Sequence, residues 1–221
     1  MYSQHQEEAA ILNYFGTYKP GRWERFKRLF TKNEVPTLLD IGCNDGKTHS
    51  NSAALILQGW QALVVEPCVI CVVEARRFYH NIGRKVTVAP CAIGTKNETR
   101  TFYEFTKPHL TSPYGFFSVF NFDTIPENKV RQLFLKQQVD VMDYKTLCNT
   151  YNQHRFDFIT INTNGTEGGI LQQIDLSKTK LVCVHYDGRD ESMLLKIMFH
   201  CGAFGLGTII YKSPDNILLG R

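Results

Sequence analysis

The chain of 221 residues is long enough for one domain with a sizeable core, and its 43% hydrophobic and 21% charged residues are ordinary for a globular protein. The net charge of +4 is spread along the sequence, so we expect a solvated surface and no nucleic-acid partner. There is neither an apolar run of about 18 residues nor a signal-peptide pattern, which predicts no integral membrane segment and a cytoplasmic location. Seven cysteines, an odd number, fit buried thiols better than a disulfide framework.

Residues 1–35 predict a helical lead-in to a single domain that spans residues 1–221. The stretch "QEEAAILNYF" has helical spacing with acids in its first turn, and Gly16 follows it as a stop signal. A second short helix, "RWERFKRLF", has aromatic residues on one face and arginines largely on another. We interpret this helix as packing on the core with a wet side rather than lying on a membrane.

After Pro36 the pattern changes to short apolar runs that alternate with helical segments, which is typical of βαβ units and a parallel sheet. The predicted strands are "PTLLDIG", "QALVVEP", "KVTVAPCAIG", "RFDFITIN" and "KLVCVHYDG", with helices over residues 52–58 and 67–81. "TRTFYEF" predicts an extra strand or arm, and "VDVMDYKTLCNTY" a strand end that runs into a helix. "LGTIIYKS" and "NILLGR" predict an antiparallel hairpin at the sheet edge. The expectation is an α/β fold with a seven-stranded, mostly parallel sheet.

One long irregular region, residues 107–128, interrupts this alternation and contains three prolines. Such regions are commonly lids or binding loops, so we expect a lid or acceptor loop here. Its stretch "SPYGFFSVF", residues 112–120, contains aromatic residues that would pin a mobile loop to the core.

The loop after the first strand, "LLDIGCNDGKT", ends like a phosphate-binding loop but is one residue short of the Walker spacing. Asp45 would also place a carboxylate beside the phosphates, which argues against a nucleoside triphosphate.

The same loop suits a cationic nucleoside without phosphate. Gly42 and Gly46 would let a bulky ligand approach the backbone, and the carboxylate of Asp40 would compensate the positive charge of a ligand. Glu66 ends the second strand 20 residues after Gly46, where an acid commonly accepts hydrogen bonds from ribose hydroxyls. S-adenosylmethionine has this chemistry. A tight turn followed by a helix-capping acid explains the same residues without a ligand, and NAD is disfavoured because the third glycine of its fingerprint is missing.

Several segments, in order and spacing, carry a family resemblance: "SQHQEE", "LLDIGCNDGKTHSNS", "GWQALVVEPC", "CAIG", "TFYEF", "FDFITIN", "LQQIDL" and "LVCVHYDG". Over nearly the whole chain the sequence resembles the FkbM family of S-adenosylmethionine-dependent methyltransferases. The resemblance implies a Rossmann-like class I methyltransferase fold and methylation of hydroxyl groups on sugars or natural products. It places the methionine end on the first loop, the ribose on Glu66 and the adenine beside Cys91. It also places residues 112–120 on the acceptor side, where their aromatic rings could stack on a sugar face. The implied cofactor-binding residues are Asp40, Gly42, Asn44, Gly46, Glu66, Pro67, Cys91 and Ala92.

The fourth strand departs from the family pattern. Family members usually end it with Asp-x-Glu-Gly, whereas this chain has amides at Asn162 and Asn164, and the fifth strand ends in His185. An amide can orient a hydroxyl but cannot take its proton, so His185 or Asp187 becomes the candidate base. The bland interpretation of His185 is a hydrogen-bonded histidine at a strand end. Loss of both carboxylates also weakens any site for a hard divalent metal.

Three functions remain open at this point. The favoured one is O-methylation of a saccharide or related hydroxylated small molecule, with S-adenosylhomocysteine as the other product. The second is a methyltransferase-like binding module that has lost catalysis, and the third is a nucleotide-sugar or NAD-linked enzyme. The C-x-x-C motif of Cys68 and Cys71 has no second pair at zinc-ligand spacing, so we predict packing thiols and no metal site.

Overall fold

The computed structural model of the protein describes residues 2–16, 35–105, 134–163, 165–186 and 190–221. Several predicted features lie outside these ranges: the second lead-in helix, the segment 107–128 with its aromatic stretch, and the candidate residues Asn164 and Asp187. In the ranges described, every helix is too short or too polar to span a membrane.

Helices and strands both occur throughout the described ranges and are numbered in chain order. The helices are α1 (Glu7–Phe15), α2 (Ala53–Leu57), α3 (Val69–Asn81), α4 (Tyr144–Tyr151), α5 (Glu167–Leu171) and α6 (Glu191–Ala203). The strands are β1 (Thr37–Ile41), β2 (Gln61–Val65), β3 (Thr87–Ala89), β4 (Ala92–Ile93), β5 (Glu98–Phe105), β6 (Phe134–Met142), β7 (Phe158–Ile161), β8 (Leu181–His185), β9 (Thr208–Lys212) and β10 (Asn216–Gly220).

Seven strands form the main sheet in the order β3-β2-β1-β7-β8-β10-β9. The first five are parallel, and β10 runs antiparallel to both β8 and β9. The predicted seven-stranded sheet with an antiparallel C-terminal hairpin is therefore confirmed. The strand order reverses between β1 and β7, and ligands of open α/β sheets bind at the carboxyl ends of strands beside such a point.

Both faces of the main sheet are covered, which explains why its strands are almost continuously apolar. Along β1, Leu38 packs into one buried cluster while Leu39 and Ile41 pack into the cluster on the opposite face. Asp40 is the one acid in this strand and is itself buried. A charge placed in such a strand costs free energy unless something compensates it, so Asp40 is a strong functional candidate.

A second, three-stranded sheet has the order β4-β6-β5. The predicted extra strand is β5, and it pairs antiparallel with β6 from Glu98–Val141 to Phe105–Phe134. Only the end of β6 was expected from the sequence, because much of its N-terminal half is exposed and polar and lacks a buried alternation. The predicted third strand divides into β3 and β4, one in each sheet.

Two helix predictions need adjustment. The helix expected from Pro67 starts at Val69 with Cys68 as its N-cap, because the Glu66 carboxylate already accepts the Cys68 N–H at 2.9 Å. No sequence pattern predicted α5 and α6, although Asp190 accepts the Met193 N–H at 2.8 Å as an N-cap of α6. An Asp followed by an acid and an apolar run is a start signal that could have identified α6.

The lead-in helix α1 is fastened to the C-terminal hairpin by one buried acid. Glu7 accepts hydrogen bonds from the Ser213 hydroxyl at 2.8 Å and from the Asn216 side-chain amide at 2.9 Å. Burial would raise the pKa of Glu7, but hydrogen bonds from its own and the His5 backbone and from these side chains hold it below the ordinary value. The lead-in is therefore part of the packed fold.

Gly42, directly after β1, is required by close packing as well as by backbone conformation. Its φ is +86°, and a Cβ built on it would lie 1.9 Å from the Asn162 carbonyl oxygen at the end of β7. Gly83 has a comparable φ of +66°, but no described atom lies within 4 Å of a Cβ built there. The two glycines therefore separate the cost of conformation from the cost of the clash.

We expect Gly83→Ala to lower the free energy of unfolding by about 1–2 kcal/mol, the cost of a left-handed conformation for a residue with a Cβ. Gly42→Ala adds a backbone clash and should cost about 1–3 kcal/mol more. Urea unfolding of the two variants and the wild type measures the conformational cost and the additional cost of the clash. Equal destabilisation by the two substitutions would contradict the close packing of Gly42 on β7.

Candidate active site

The predicted site residues meet at one edge of the main sheet. Ile41 at the end of β1 pairs with Val65 of β2 and with Ile161 of β7, and Ile161 pairs with Val184 of β8. The residues that follow on these strands are therefore neighbours along the carboxyl edge. They are Gly42, Glu66, Asn162 and His185.

The first loop is fastened to the end of β2. The Val65 carbonyl accepts the N–H of Gly42 at 2.9 Å and the N–H of Cys43 at 3.1 Å. One oxygen of Glu66 accepts the N–H of Asn44 at 3.0 Å. The glycine-rich turn thus has a fixed position against the acid predicted to bind ribose.

Asp45 organises the rest of this loop from within. Its carboxylate accepts the N–H of Lys47 at 3.0 Å, the N–H of Thr48 at 2.7 Å and the Thr48 hydroxyl at 2.7 Å. In a phosphate-binding loop that hydroxyl would contact a magnesium ion and those N–H groups would face phosphates. Here both are engaged by a carboxylate, which agrees with the rejection of a Walker loop.

Asp40 is buried beside the loop with one described side-chain partner. The Ser52 hydroxyl donates to it at 2.5 Å. Burial raises the pKa of Asp40 to about 6, and the bond from Ser52 only partly opposes this effect. The site therefore holds the carboxyl in an environment that disfavours its charge, which a cationic ligand would reverse.

Glu66 lies in a similar environment. Its two oxygens accept the backbone N–H groups of Asn44 and Cys68. Burial is the largest cause that raises its pKa to about 7, and the negative charges of Asp40 and Glu104 add to the increase. Asp40 and Glu66 are thus brought close enough to influence each other, as the sequence predicted for two parts of one site.

The remaining predicted cofactor residues border the same edge. Pro67 lies between Glu66 and the N-cap of α3, and Ala92 begins β4. The Cys91 side chain is buried in the core, and burial raises the pKa of its thiol to about 12. Any contact between Cys91 and a ligand at this edge would therefore use its backbone.

Beyond β1, the part of the edge formed by the ends of β7 and β8 holds an acid that was not predicted. Glu167, in the first turn of α5, is 2% exposed and lies 3.5 Å from Nδ1 of His185. It also accepts the N–H groups of Thr163 and Gly165 at 2.8 Å each. Burial would raise the pKa of Glu167, but hydrogen bonding to His185 and to the backbone outweighs it and keeps the pKa below its ordinary value. The candidate base thus has a charged carboxylate partner.

Three supporting residues were missed from the sequence. Ser52 holds Asp40, Glu167 holds His185, and the Tyr79 hydroxyl lies 3.4 Å from the Gly46 carbonyl. An acid two residues after Gly165 at a helix start could have pointed to Glu167. Ser52 and Tyr79 had no such signal, since their contacts join segments distant in sequence.

The sheet order and this polar edge define a class I methyltransferase fold. The family model described as "Methyltransferase FkbM domain" matches residues 40–202, and the protein belongs to this family. The predicted family and fold class are thereby confirmed. No curated protein shows significant similarity to the chain.

Solved structures with similarity to this chain are remote methyltransferase domains. The METTL16 methyltransferase domain is 11% identical, with a TM-score of 0.48, over 96% of this chain and 65% of that one. The N-terminal domain of human METTL16 in complex with SAH is 13% identical, with a TM-score of 0.41, over 90% and 68%. An rRNA methylase from Streptococcus thermophilus is 9% identical, with a TM-score of 0.41, over 84% and 86%. The chain thus spans just under two thirds of the first of these domains.

Asp40 should make stability depend on pH in the direction opposite to that of an acid whose pKa is lowered on folding. Because its folded-state pKa of about 6 exceeds the ordinary value of 3.8, the folded protein holds the proton more tightly. The free energy of unfolding from this group is therefore highest at low pH and falls as pH rises from about 4 to about 6. The expected fall is about 3 kcal/mol.

Asp40→Asn should remove this fall but keep most of the contribution of Glu66, because burial rather than the charge of Asp40 is the largest cause of the raised pKa of Glu66. Urea unfolding of both proteins between pH 4 and pH 7.5 measures the free energy of unfolding of the wild type minus that of the variant, which should fall by about 3 kcal/mol as pH rises. A difference that does not change with pH would show that Asp40 titrates normally in the folded protein.

Proposed function

We propose that this protein is an S-adenosylmethionine-dependent O-methyltransferase that acts on a hydroxyl group of a saccharide or a related small molecule. One observation carries the proposal. Asp40 and Glu66 are buried together at the carboxyl edge of the sheet, and burial raises the pKa of each. A ligand that brings positive charge and vicinal hydroxyls would compensate both carboxylates.

The residues present fit this cofactor. Each Glu66 oxygen accepts one backbone N–H, and a carboxylate has about four acceptor sites, so two ribose hydroxyls can still be accommodated. Asp40 offers a negative charge beside the first loop for the cationic methionine end. The loop between them disfavours a triphosphate, because Asp45 already accepts the N–H groups of Lys47 and Thr48. Asn44, held by Glu66, and Pro67 would line the same pocket.

When bound, the cofactor supplies a methyl group that an acceptor hydroxyl can attack in line. The chain must then orient that hydroxyl and take its proton. Asn162 at the end of β7 can hydrogen-bond the hydroxyl, and His185 on the neighbouring strand would take the proton at Nε2. Glu167, at Nδ1 of His185, would stabilise the imidazolium that forms. This pair offers the basic function that the fourth-strand amides cannot.

The hydroxylated acceptor is proposed from the family resemblance together with the amide of Asn162 and the imidazole of His185 at this edge. Amide and imidazole groups suit hydroxyls, whereas a nucleic-acid acceptor would call for a basic surface. Asn164 and Asp187 lie outside the described residues and stay sequence-based candidates for the acceptor side. We expect the reaction to take place in the cytoplasm.

A second function is supported by the same Asn162. If the amides that replace the family's fourth-strand carboxylates have removed catalysis, the chain would bind the cofactor or a glycan without methyl transfer. Cofactor binding together with no turnover on any acceptor would favour this binding module.

Cofactor binding is the first testable consequence. Isothermal titration should show that S-adenosylmethionine and S-adenosylhomocysteine both bind, and that Glu66→Ala weakens binding by about 1–3 kcal/mol through lost hydrogen bonds to ribose. Glu74→Ala is the control, because Glu74 pairs with Arg77 on the surface of α3. No binding of either ligand to a folded wild type would refute the methyltransferase proposal.

The His185 base is tested with an acceptor found by screening saccharides for S-adenosylhomocysteine release. His185→Ala should lower turnover about 10²–10⁴-fold, and Glu167→Gln should lower it less, while cofactor affinity is retained. His154→Ala, at an exposed histidine, should have no effect. Unchanged turnover in His185→Ala would remove His185 as the base.

A further inference from the structure

The C-x-x-C motif, interpreted from its spacing as packing thiols, acquires a third donor in the folded protein. A carboxylate oxygen of Glu66 and the sulfurs of Cys68 and Cys71 all lie within 4.8 Å of one another. All three residues are buried. Ligands of a tetrahedral zinc ion lie roughly 3.5 Å apart, so a small contraction would bring these three atoms around one ion.

The fold presents these donors on well-ordered elements. Glu66 directly follows β2, Cys68 is the N-cap of α3, and the Cys71 N–H donates to the Cys68 sulfur at 3.4 Å. A helical N-terminus alone would attract an anion. Two thiols and a carboxylate converging there form a donor set for a cation instead.

A second acid completes the surroundings. Glu104 of β5 accepts the Cys68 thiol at 3.2 Å and the Ile70 N–H at 3.0 Å, and the Gln137 amide also donates to it. We name Glu66, Cys68, Cys71 and Glu104 the thiol–carboxylate cluster. The described partners of its two carboxylates are three backbone N–H groups, one thiol and one amide. These are the contacts that orient metal ligands in proteins.

The cluster concentrates negative charge in a buried place. Its two carboxyl groups and two thiols are all buried, so their negative charges repel one another when they are ionised. A divalent cation would displace the thiol protons and offset this repulsion. A disulfide between Cys68 and Cys71 would leave the two acids uncompensated.

We propose that Glu66, Cys68 and Cys71 bind a thiophilic divalent cation such as Zn²⁺, with Glu104 beside its fourth ligand position. Sulfur donors favour Zn²⁺ over Mg²⁺ or Ca²⁺, which take oxygen ligands. If the function proposed above is correct, Glu66 serves both the metal and the ribose. Metal binding and cofactor binding then compete, so the cation acts as an inhibitor of the same site.

The test uses the full chain, reduced and freed of metal, and titrated with Co²⁺. We expect one equivalent to produce the sulfur-to-cobalt charge-transfer band and the visible bands of tetrahedral coordination, and Zn²⁺ to abolish them. Cys68→Ser and Cys71→Ala should each weaken binding at least about tenfold. Cys148→Ser is the matched control, because Cys148 is a buried thiol in α4 outside the cluster.

Absence of the charge-transfer band in the folded wild type, or equal bands in Cys71→Ala, would overturn the site. Competition is measured separately: Zn²⁺ should raise the apparent Kd for S-adenosylhomocysteine in the wild type and have no effect in Cys71→Ala. Because the cobalt titration contains no cofactor, it can succeed where the methyltransferase proposal fails and fail where that proposal succeeds.

Discussion

The carbonyl of Val65 is the contact on which the candidate site depends. It accepts the N–H groups of both Gly42 and Cys43, and so joins the loop after β1 to the end of β2. Gly42 can make this turn only because it lacks a Cβ, since the Asn162 carbonyl occupies that space. One glycine thereby brings the ends of β1, β2 and β7 into contact. The proposed cofactor site, at the ends of β1 and β2, and the proposed acceptor site, at the ends of β7 and β8, share this junction.

Around that junction the protein keeps acids where their charge is costly. Asp40 and Glu66 are buried at the edge of an otherwise apolar sheet, and burial raises the pKa of each. An apolar residue at position 40 would pack there with less strain, so these acids indicate selection for a ligand rather than for stability. Active sites commonly sacrifice stability in this way. The methyltransferase family to which the chain belongs gives this cost a function.

At the ends of β7 and β8 the edge differs from the part that holds Asp40 and Glu66. The strand β7, the fourth one predicted from the sequence, is followed by amides where the family pattern has carboxylates. Glu167 from α5 nevertheless places a charged carboxylate 3.5 Å from His185. The edge therefore has an acid–imidazole pair beside Asn162, although the acid comes from a helix rather than from the strand. This arrangement is consistent with retained proton transfer by a different residue. Glu66 belongs both to the proposed cofactor site and to the thiol–carboxylate cluster, so the two proposals share one carboxylate.

The sequence alone determined the strands of the main sheet, their mostly parallel direction and the hairpin, because apolar runs buried on both faces are a local signal. It also predicted that Asp40, Gly42 and Glu66 lie at the same edge of the sheet, because the carboxyl ends of parallel strands meet there. The start of α3, most of β6 and the partners Ser52 and Glu167 were decided only by tertiary structure. So was the position of Glu66 beside Cys68 and Cys71. Hydrogen bonds and packing between distant segments set these features, and periodicity does not encode such contacts.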